Sequence, residues 1–278
     1  WGLPFGRASR MIAPGEYVCN ERILAALEER HVPFDVPQAA NFSDFMQRHE
    51  VNAQTFVPGE QVSLHDVPGT FEGFPRAGGR GVGTRNFVVI LGTTSRAGPF
   101  AQAVADQFED APSRFKNIDG VVAVTHTEGG LERPNNLDFV LRTLAGFMVH
   151  PNVGAIIAID YGTEGYTNDD LQAFMAEHHY PLGHVTHAFA RVSGPLADEA
   201  DRLSTLVDGW LPDVDAQERS AQPIGALKLA LQCGGSDAFS GVSGNALAGW
   251  VAKEIIRHGG SANLAETDEL IGAEPYML

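Results

Sequence analysis

Phe87-Val88-Val89-Ile90-Leu91 is the stretch that decides the fold. Its five consecutive apolar residues, with no polar alternation, suit a strand buried on both faces, as in a parallel sheet covered by helices. Phe100, Val104 and Phe108 follow at helical spacing. The pattern then repeats. Gly120 to Val124 predicts a second buried strand, and Leu137, Val140, Leu141, Leu144, Phe147 and Met148 one face of a helix. Gly154 to Ile159 predicts a third strand. Thr167 opens the next helix, with Asp170 three residues on as its capping-box partner. His184 to Ala190 predicts a fourth strand, Leu196 to Val207 a helix, and Ile224 to Leu231 a fifth strand. Leu247, Trp250, Val251 and Ile255 mark a helix that stops at Gly259-Gly260, and Ala262 to Ala265 a sixth short strand. Strands alternating with helices predict an α/β fold, a parallel sheet with helices on both faces.

Upstream of this alternation the chain reads differently. Met11 to Val18 predicts two short strands around a Pro14-Gly15 turn, the tail of a small β module. A helix is expected over Glu21 to Arg30, then a long linker from His31 to Arg80, rich in Pro, Gly, Asn and Gln. The expected division is a β module over 1–20, a helix and linker over 21–80, and an α/β domain over 81–278.

The 278 residues, 44% of them hydrophobic, can bury the core of one or two domains. No apolar run approaches the ~20 residues that span a bilayer, and no signal-peptide pattern precedes the first strand. Cys19 and Cys233 make no disulfide framework, so a reducing cytoplasm is expected. The chain opens on Trp1, so its native beginning is expected upstream. The formal charge of −16 repels phosphate backbones and argues against nucleic acid as a partner. An anionic substrate would then need local cations or a metal.

In open parallel sheets, ligands bind outside the carboxyl ends of the strands. That rule selects Thr93, Thr94, Ser95 and Arg96; Thr125 to Gly130 with His126 and Glu128; Asp160 to Gly165 with Glu164; and Cys233 to Ser243. The last carries Cys233-Gly234-Gly235-Ser236-Asp237-Ala238-Phe239-Ser240-Gly241. Paired glycines let backbone N–H groups approach a ligand, and the helix that follows favours an anion. Ser236 and Ser240 add hydroxyls, and Asp237 can bind a metal or take a proton. The competing reading is a tight turn in which Asp237 or Ser240 caps the helix. His126 is a candidate acid, base or metal ligand, against the commoner structural histidine. Glu164 and Asp160 are candidate ligands, against carboxylates placed at a helix terminus. Arg96 is a candidate carboxylate clamp. The glycine-rich run Gly78 to Asn86 precedes a strand, whereas a dinucleotide fingerprint follows one, so NAD binding is rejected. Arg85 and Asn86 stay open between substrate contact and a loop locked by its own hydrogen bonds.

These segments resemble, in order, the signatures of the altronate/galactarate dehydratase family. They are Gly79 to Asn86, His150-Pro151-Asn152, Glu164, Leu231 to Gly241 and Glu266 to Glu274. Gly2 to Ala8 and Ile12 to Val18 are similar to the second half of the small β-clip (SAF) domain that these enzymes carry. The resemblance implies a piece of a longer enzyme, trimmed at both ends. It implies a divalent-metal-dependent hydro-lyase, with Fe²⁺, Mn²⁺ or Mg²⁺, that dehydrates a sugar acid to a 2-keto-3-deoxy acid. On that reading His126, Asp237 and Cys233 are catalytic, and His126, Glu164 and Asp237 are metal ligands. Arg85, Asn86, Ser95, Arg96, Gly234, Gly235, Ser236 and Ser240 bind substrate, and the enzyme is a cytoplasmic homo-oligomer. Tyr17, Cys19 and Glu21 stand where related β-clip domains carry histidines, and Ser95, Gly130 and Thr163 stand near positions where cysteines are expected. One remaining thiolate in the domain cannot carry an iron–sulfur cluster. Elimination of sulfite from a hydroxy acid and non-catalytic sugar-acid binding are the alternatives.

Overall fold

The structure, a computed structural model, describes residues 5–30, 32, 34–45, 52–235 and 237–267. The chain divides into two compact units, one built mainly on residues 1–60 and the other spanning 61–269. In the first unit, β1 (Gly6–Ala8) precedes helix α1 (Glu21–Arg30), and β2 (Phe42–Asp44) pairs antiparallel with β1. The Pro14-Gly15 turn forms, with Gly15 at φ +83 and Glu16 N–H donating to the Ala13 carbonyl at 3.0 Å. The residues flanking it are not strands, contrary to the sequence expectation. Buried Asn41 holds this segment instead, accepting from Cys19 N–H at 2.9 Å and donating to the Tyr17 carbonyl at 2.7 Å.

The second unit opens inside the segment expected to be linker. Strand β3 (Thr70–Arg76) turns through Gly78 and Gly79, both at positive φ, into β4 (Gly81–Gly83). Then come β5 (Phe87–Gly92), α2 (Gly98–Ala105), α3 (Ala111–Arg114), β6 (Gly120–Val124), α4 (Leu137–Met148), β7 (Val153–Asp160), α5 (Asn168–Glu177), β8 (Thr186–Arg191) and α6 (Leu196–Asp215). The chain continues through β9 (Ser220–Pro223), β10 (Lys228–Leu231), α7 (Ala238–Val242), α8 (Gly244–Arg257) and β11 (Ser261–Leu264).

Strands β5 to β8 form one parallel sheet in the order β6-β5-β7-β8. Every residue of β7 is buried. Its side chains alternate between two cores, as the pleat requires. Val88, Ile90, Ile157 and Ile159 pack on α2 and α6 through Phe100, Val104, Leu203, Val207 and Leu211. Val89, Leu91, Ile156 and Ala158 pack on α4 and α5 through Leu141, Leu144, Leu171 and Met175. The expected sheet with helices on both faces is present. The capping box at Thr167 and Asp170 forms, and α8 ends with Gly259 at φ +88.

The fifth and sixth expected strands do not join this sheet. β10 and β11 pair parallel as a separate ribbon, and β3, β4 and β9 make a third, antiparallel sheet. The reason is amphipathicity: β10 alternates exposed and half-buried residues from Lys228 on, whereas β7 is buried throughout. Beside the ribbon, α7 and α8 turn Phe239, Val242, Leu247 and Trp250 to solvent. Among the described residues no helix is long and apolar enough to cross a membrane.

Candidate active site

The sheet order places a topological switch point between β5 and β7. The chain leaves β5 for β6 across the α2 face, then crosses back over the α4 face to β7. Adjacent connections that depart to opposite faces open a crevice at the carboxyl ends of these two strands.

The floor of the crevice is a closed polar network. Thr93 and Thr94 are fully buried. Thr93 Oγ1 donates to Asn168 Oδ1 at 2.6 Å, and Asn168 Nδ2 donates to the carbonyls of Ala158 (3.1 Å) and Ala190 (3.2 Å). Asn168 N–H donates to Asp160 Oδ2 at 2.7 Å. Buried Asp160 also receives Arg191 Nε at 3.2 Å, and Arg191 reaches Asp169 at 3.1 Å. Hydrogen bonds to Asp160 and then Asp169 raise the guanidinium pKa further above its ordinary range.

Glu164 is buried in the wall. Its Oε1 accepts Tyr161 N–H at 2.9 Å and Thr94 Oγ1 at 3.3 Å, and its Oε2 accepts Thr163 N–H at 2.9 Å. Arg96 donates to Thr163 Oγ1 at 3.1 Å and lies 5.7 Å from the Tyr161 ring centre. Among the described residues no carboxylate pairs with Arg96. Ser95 ties down the β6 loop: its N–H donates to the Glu128 carbonyl at 2.9 Å and its Oγ to the Gly129 carbonyl at 3.2 Å.

His126 occupies the β6 end. Glu128 N–H donates to its Nδ1 at 3.2 Å, so the proton of the neutral ring sits on Nε2, which faces the Thr93 carbonyl at 3.2 Å. Both ring nitrogens are therefore engaged by backbone. A cleft of about 260 Å³ opens beside it, lined by Thr125, His126, Glu128, Asn136, Phe139 and Thr143.

Tyr166 gave no functional signal in the sequence. It precedes the Thr167 cap and packs in the same core as Leu171, four helical positions on, which is a hydrophobic staple. It is 1% exposed, and its hydroxyl has no partner. Burial, then the negative charges of Glu128 and Glu164, raise the phenol pKa well above its ordinary value. Asn168 and Arg191 also escaped the sequence reading; an Asn at the first position of a helix or an Arg at a strand end gives no pattern that marks it as a hub.

Arg85 and Asn86 do not reach the crevice. They lie at the amino end of β5, a strand of six residues that spans about 20 Å. Asn86 is fully buried, donating to the carbonyls of Asn117 (2.9 Å) and Val214 (3.0 Å) and accepting from Arg76 (2.8 Å). Arg85 pairs with Asp119 at 3.7 Å. Asn152 Oδ1 accepts the N–H groups of Thr84 (2.8 Å) and Arg85 (3.2 Å), so the Gly79-to-Asn86 and His150-to-Asn152 signatures dock on each other. Arg80 completes this end, donating to the carbonyls of Val149, His150, Val153 and His184.

The Cys233 loop follows β10, in the separate ribbon. Cys233 N–H donates to Glu266 at 2.8 Å, and Asp237 caps α7 by accepting Ser240 N–H at 2.8 Å and the Ser240 hydroxyl. The Ser240 hydroxyl, then its backbone N–H, holds the Asp237 carboxyl below the usual range. Among the described residues no hydrogen bond joins this loop to the four-stranded sheet. Gly234 and Gly235 lack positive φ, and an added Cβ at either would meet nothing. The fold itself therefore does not require glycine there. Ser236 and residues 268–274 of the resemblance lie outside the described residues.

Among the described residues the ligand atoms of His126, Glu164 and Asp237 do not come together at metal-ligand spacing. His126 is engaged by Glu128 N–H and the Thr93 carbonyl, Glu164 accepts three hydrogen bonds, and Asp237 caps α7. The spacing that could hold a metal ion is found at His65, Glu254 and His258, whose ligand atoms lie within 4.8 Å of one another. The donor types suit a divalent metal. However, His258 Nδ1 already accepts Gly69 N–H at 3.0 Å, Arg257 pairs with Glu254 at 2.9 Å, and His65 Nε2 meets Glu254 at 3.1 Å. As arranged, the cluster clasps residues 65–69 to α8.

Two family models match the chain. "D-galactarate dehydratase/Altronate hydrolase, second domain" covers residues 73–215, and "D-galactarate/Altronate dehydratase, C-terminal" covers residues 224–278. The chain is 26% identical over 279 residues to the altronate dehydratase of Bacillus subtilis and 28% over 286 residues to that of Escherichia coli, covering 100% of itself and 51% of each relative. It is 29% identical over 207 residues, 74% of its length and 48% of the relative's, to the (2R)-sulfolactate sulfo-lyase subunit beta of Chromohalobacter salexigens. The chain spans about half the length of these relatives.

Proposed function

We propose, since this chain belongs to the D-galactarate/altronate dehydratase family, that it serves a hydro-lyase acting on a sugar acid, an aldonate or aldarate. The reaction takes the proton α to the carboxylate and expels the β-hydroxyl as water. The enol left behind tautomerises to a 2-keto-3-deoxy acid. The observation that carries the reading is the ordered match of both family models across the switch-point sheet and the Cys233 loop.

In the crevice, Arg96, which pairs with no carboxylate among the described residues, supplies a cation to hold the substrate carboxylate, beside the amino end of α2, which has no side-chain cap. Glu164 keeps the loop after β7 in shape and presents Thr163 to Arg96. His126 can take a proton at Nδ1 once Glu128 N–H releases it. In the Cys233 loop, Gly234 and Gly235 offer backbone N–H groups to the substrate, while Asp237 and Ser240 fix the turn and Glu266 holds Cys233 N–H. A divalent metal, when bound, would neutralise the charge that develops on the enediolate. The enzyme is proposed to be a cytoplasmic homo-oligomer that binds neither nucleic acid nor membrane.

The test is the full-length protein incubated with a panel of aldonates and aldarates. Mg²⁺, Mn²⁺ and Fe²⁺ are added in turn, a chelator serves as control, and 2-keto-3-deoxy acids are measured. Folded protein with no turnover across the panel refutes the reading. The similarity to the sulfo-lyase subunit supports a second reading, elimination of sulfite from a sulfonated hydroxy acid, which sulfite release in the same assay identifies.

A further inference from the structure

We propose that the Tyr166 hydroxyl is a substrate contact, donating a hydrogen bond to a hydroxyl of the polyhydroxy acid held between the β5, β6 and β7 loops. The proposal rests on the dehydratase reading for the class of ligand and on geometry for the residue.

The local fold accounts for the ring of Tyr166 but not for its oxygen. A staple needs only an apolar side chain against Leu171, and phenylalanine would serve. The oxygen is buried without a partner, a state that folded proteins rarely keep without a use. Its surroundings define the ligand. Glu128 adjoins Gly129, which lies against the hydroxyl, and buried Glu164 stands two residues before Tyr166; their negative charge disfavours an anionic group there. A sugar hydroxyl is suited, because it accepts from Tyr166 and can donate to a carboxylate in turn. The carboxylate end of the acid is then left to Arg96.

Gly129 covers the Tyr166 hydroxyl. A Cβ on Gly129 would sit 2.7 Å from the ring and 3.1 Å from the hydroxyl. This strap is held by Ser95 N–H and Oγ on the carbonyls of Glu128 and Gly129, and by Gly165 N–H on the Gly130 carbonyl at 3.0 Å. Gly129 and Gly130 both have positive φ, and Leu131 points to solvent. A ligand reaches the hydroxyl by displacing Gly129, which releases the Ser95 and Gly165 hydrogen bonds of the strap.

The experiment compares full-length wild type with Tyr166→Phe. Loss of an unused hydroxyl should leave the melting temperature unchanged or raise it. KM for the acid that the wild type turns over should rise about tenfold, with a smaller change in kcat. The deoxy analogue lacking the contacted hydroxyl should bind both proteins alike. Unchanged KM overturns the proposal, as does a Tyr166→Phe protein that melts early or fails to fold, since the hydroxyl would then be structural. If the wild type turns over no acid, the dehydratase reading fails by itself. Calorimetric binding of the same acids then decides the contact, equal affinities of the two proteins overturning it.

Discussion

Glu164→Gln separates a loop brace from a free catalytic carboxylate. The substitution keeps shape and removes charge. Both oxygens now accept backbone N–H groups, Tyr161 on one side and Thr163 on the other, each at 2.9 Å. A glutamine must set its NH₂ against one of those donors. One part-buried N–H then loses its acceptor, at a cost of about 1–3 kcal/mol, and the other bond falls from charge-assisted to neutral, about 1 kcal/mol more. The expected loss is about 2–4 kcal/mol. For a unit the size of Gln61–Glu269 this lowers Tm by on the order of 10 °C. Calorimetric melting of the full-length protein reads it, with turnover measured on the same preparation. A variant that melts within about 1 °C of wild type yet has lost activity would refute the reasoning. Glu164 would then be free to ligate or carry a proton, and the loop would be held by something else.

Three further outcomes follow from the same contacts. Arg80→Met strips the charged donor from four backbone carbonyls and should cost about 3 kcal/mol or more, read from the urea midpoint; a loss under about 1 kcal/mol contradicts the clamp. Burial, and secondarily Arg80, lower the pKa of His150 below its usual 6.5. The unfolded chain therefore binds more protons near that pH, so this contribution to stability is present above 6.5 and is lost as pH falls toward the folded value. An NMR midpoint for His150 at or above 6.5 would contradict it, and Arg80→Met should move the midpoint upward. Gly165→Ala puts a Cβ 2.2 Å from the Glu132 carbonyl, a backbone clash that no rotamer relieves. The 128–133 strap should detach and become sensitive to limited proteolysis, and an unchanged cleavage pattern would count against the packing.

The sheet was legible because its strands are buried on both faces and therefore lack alternation. Val88 to Leu91 and Gly154 to Ile159 could be read alone, as could the Thr167 cap and the Gly259 stop. β3 was not legible. Gly73 and Pro75 lie in it, and its partner β9 is far along the chain, so no local pattern announces the pairing. β10 has the composition of a core strand but burial on one side only, and composition alone does not reveal which sheet a strand joins. At the site, the strand-end rule brought Thr94, Ser95, Arg96, His126 and Glu164 together at the switch point. The signatures pointed to the family that both models match, but a signature records what must stay unchanged without saying why. Asn86 and Asn152 are held by the architecture of the amino end, and nothing in their spacing separates them from residues that touch a ligand. Tyr166 was missed for the opposite reason: its ring satisfies a local rule so fully that the hydroxyl draws no notice.

The apolar side of α7 and α8 has a practical consequence. Phe239, Val242, Leu247 and Trp250 make a greasy surface on a ribbon of only two strands. Preparations of this 278-residue chain by itself should bind hydrophobic dyes while fully folded and sediment more heavily as concentration rises. Dye fluorescence is therefore a poor indicator of unfolding for this chain, and purification should favour low protein concentration over high salt, which strengthens apolar association.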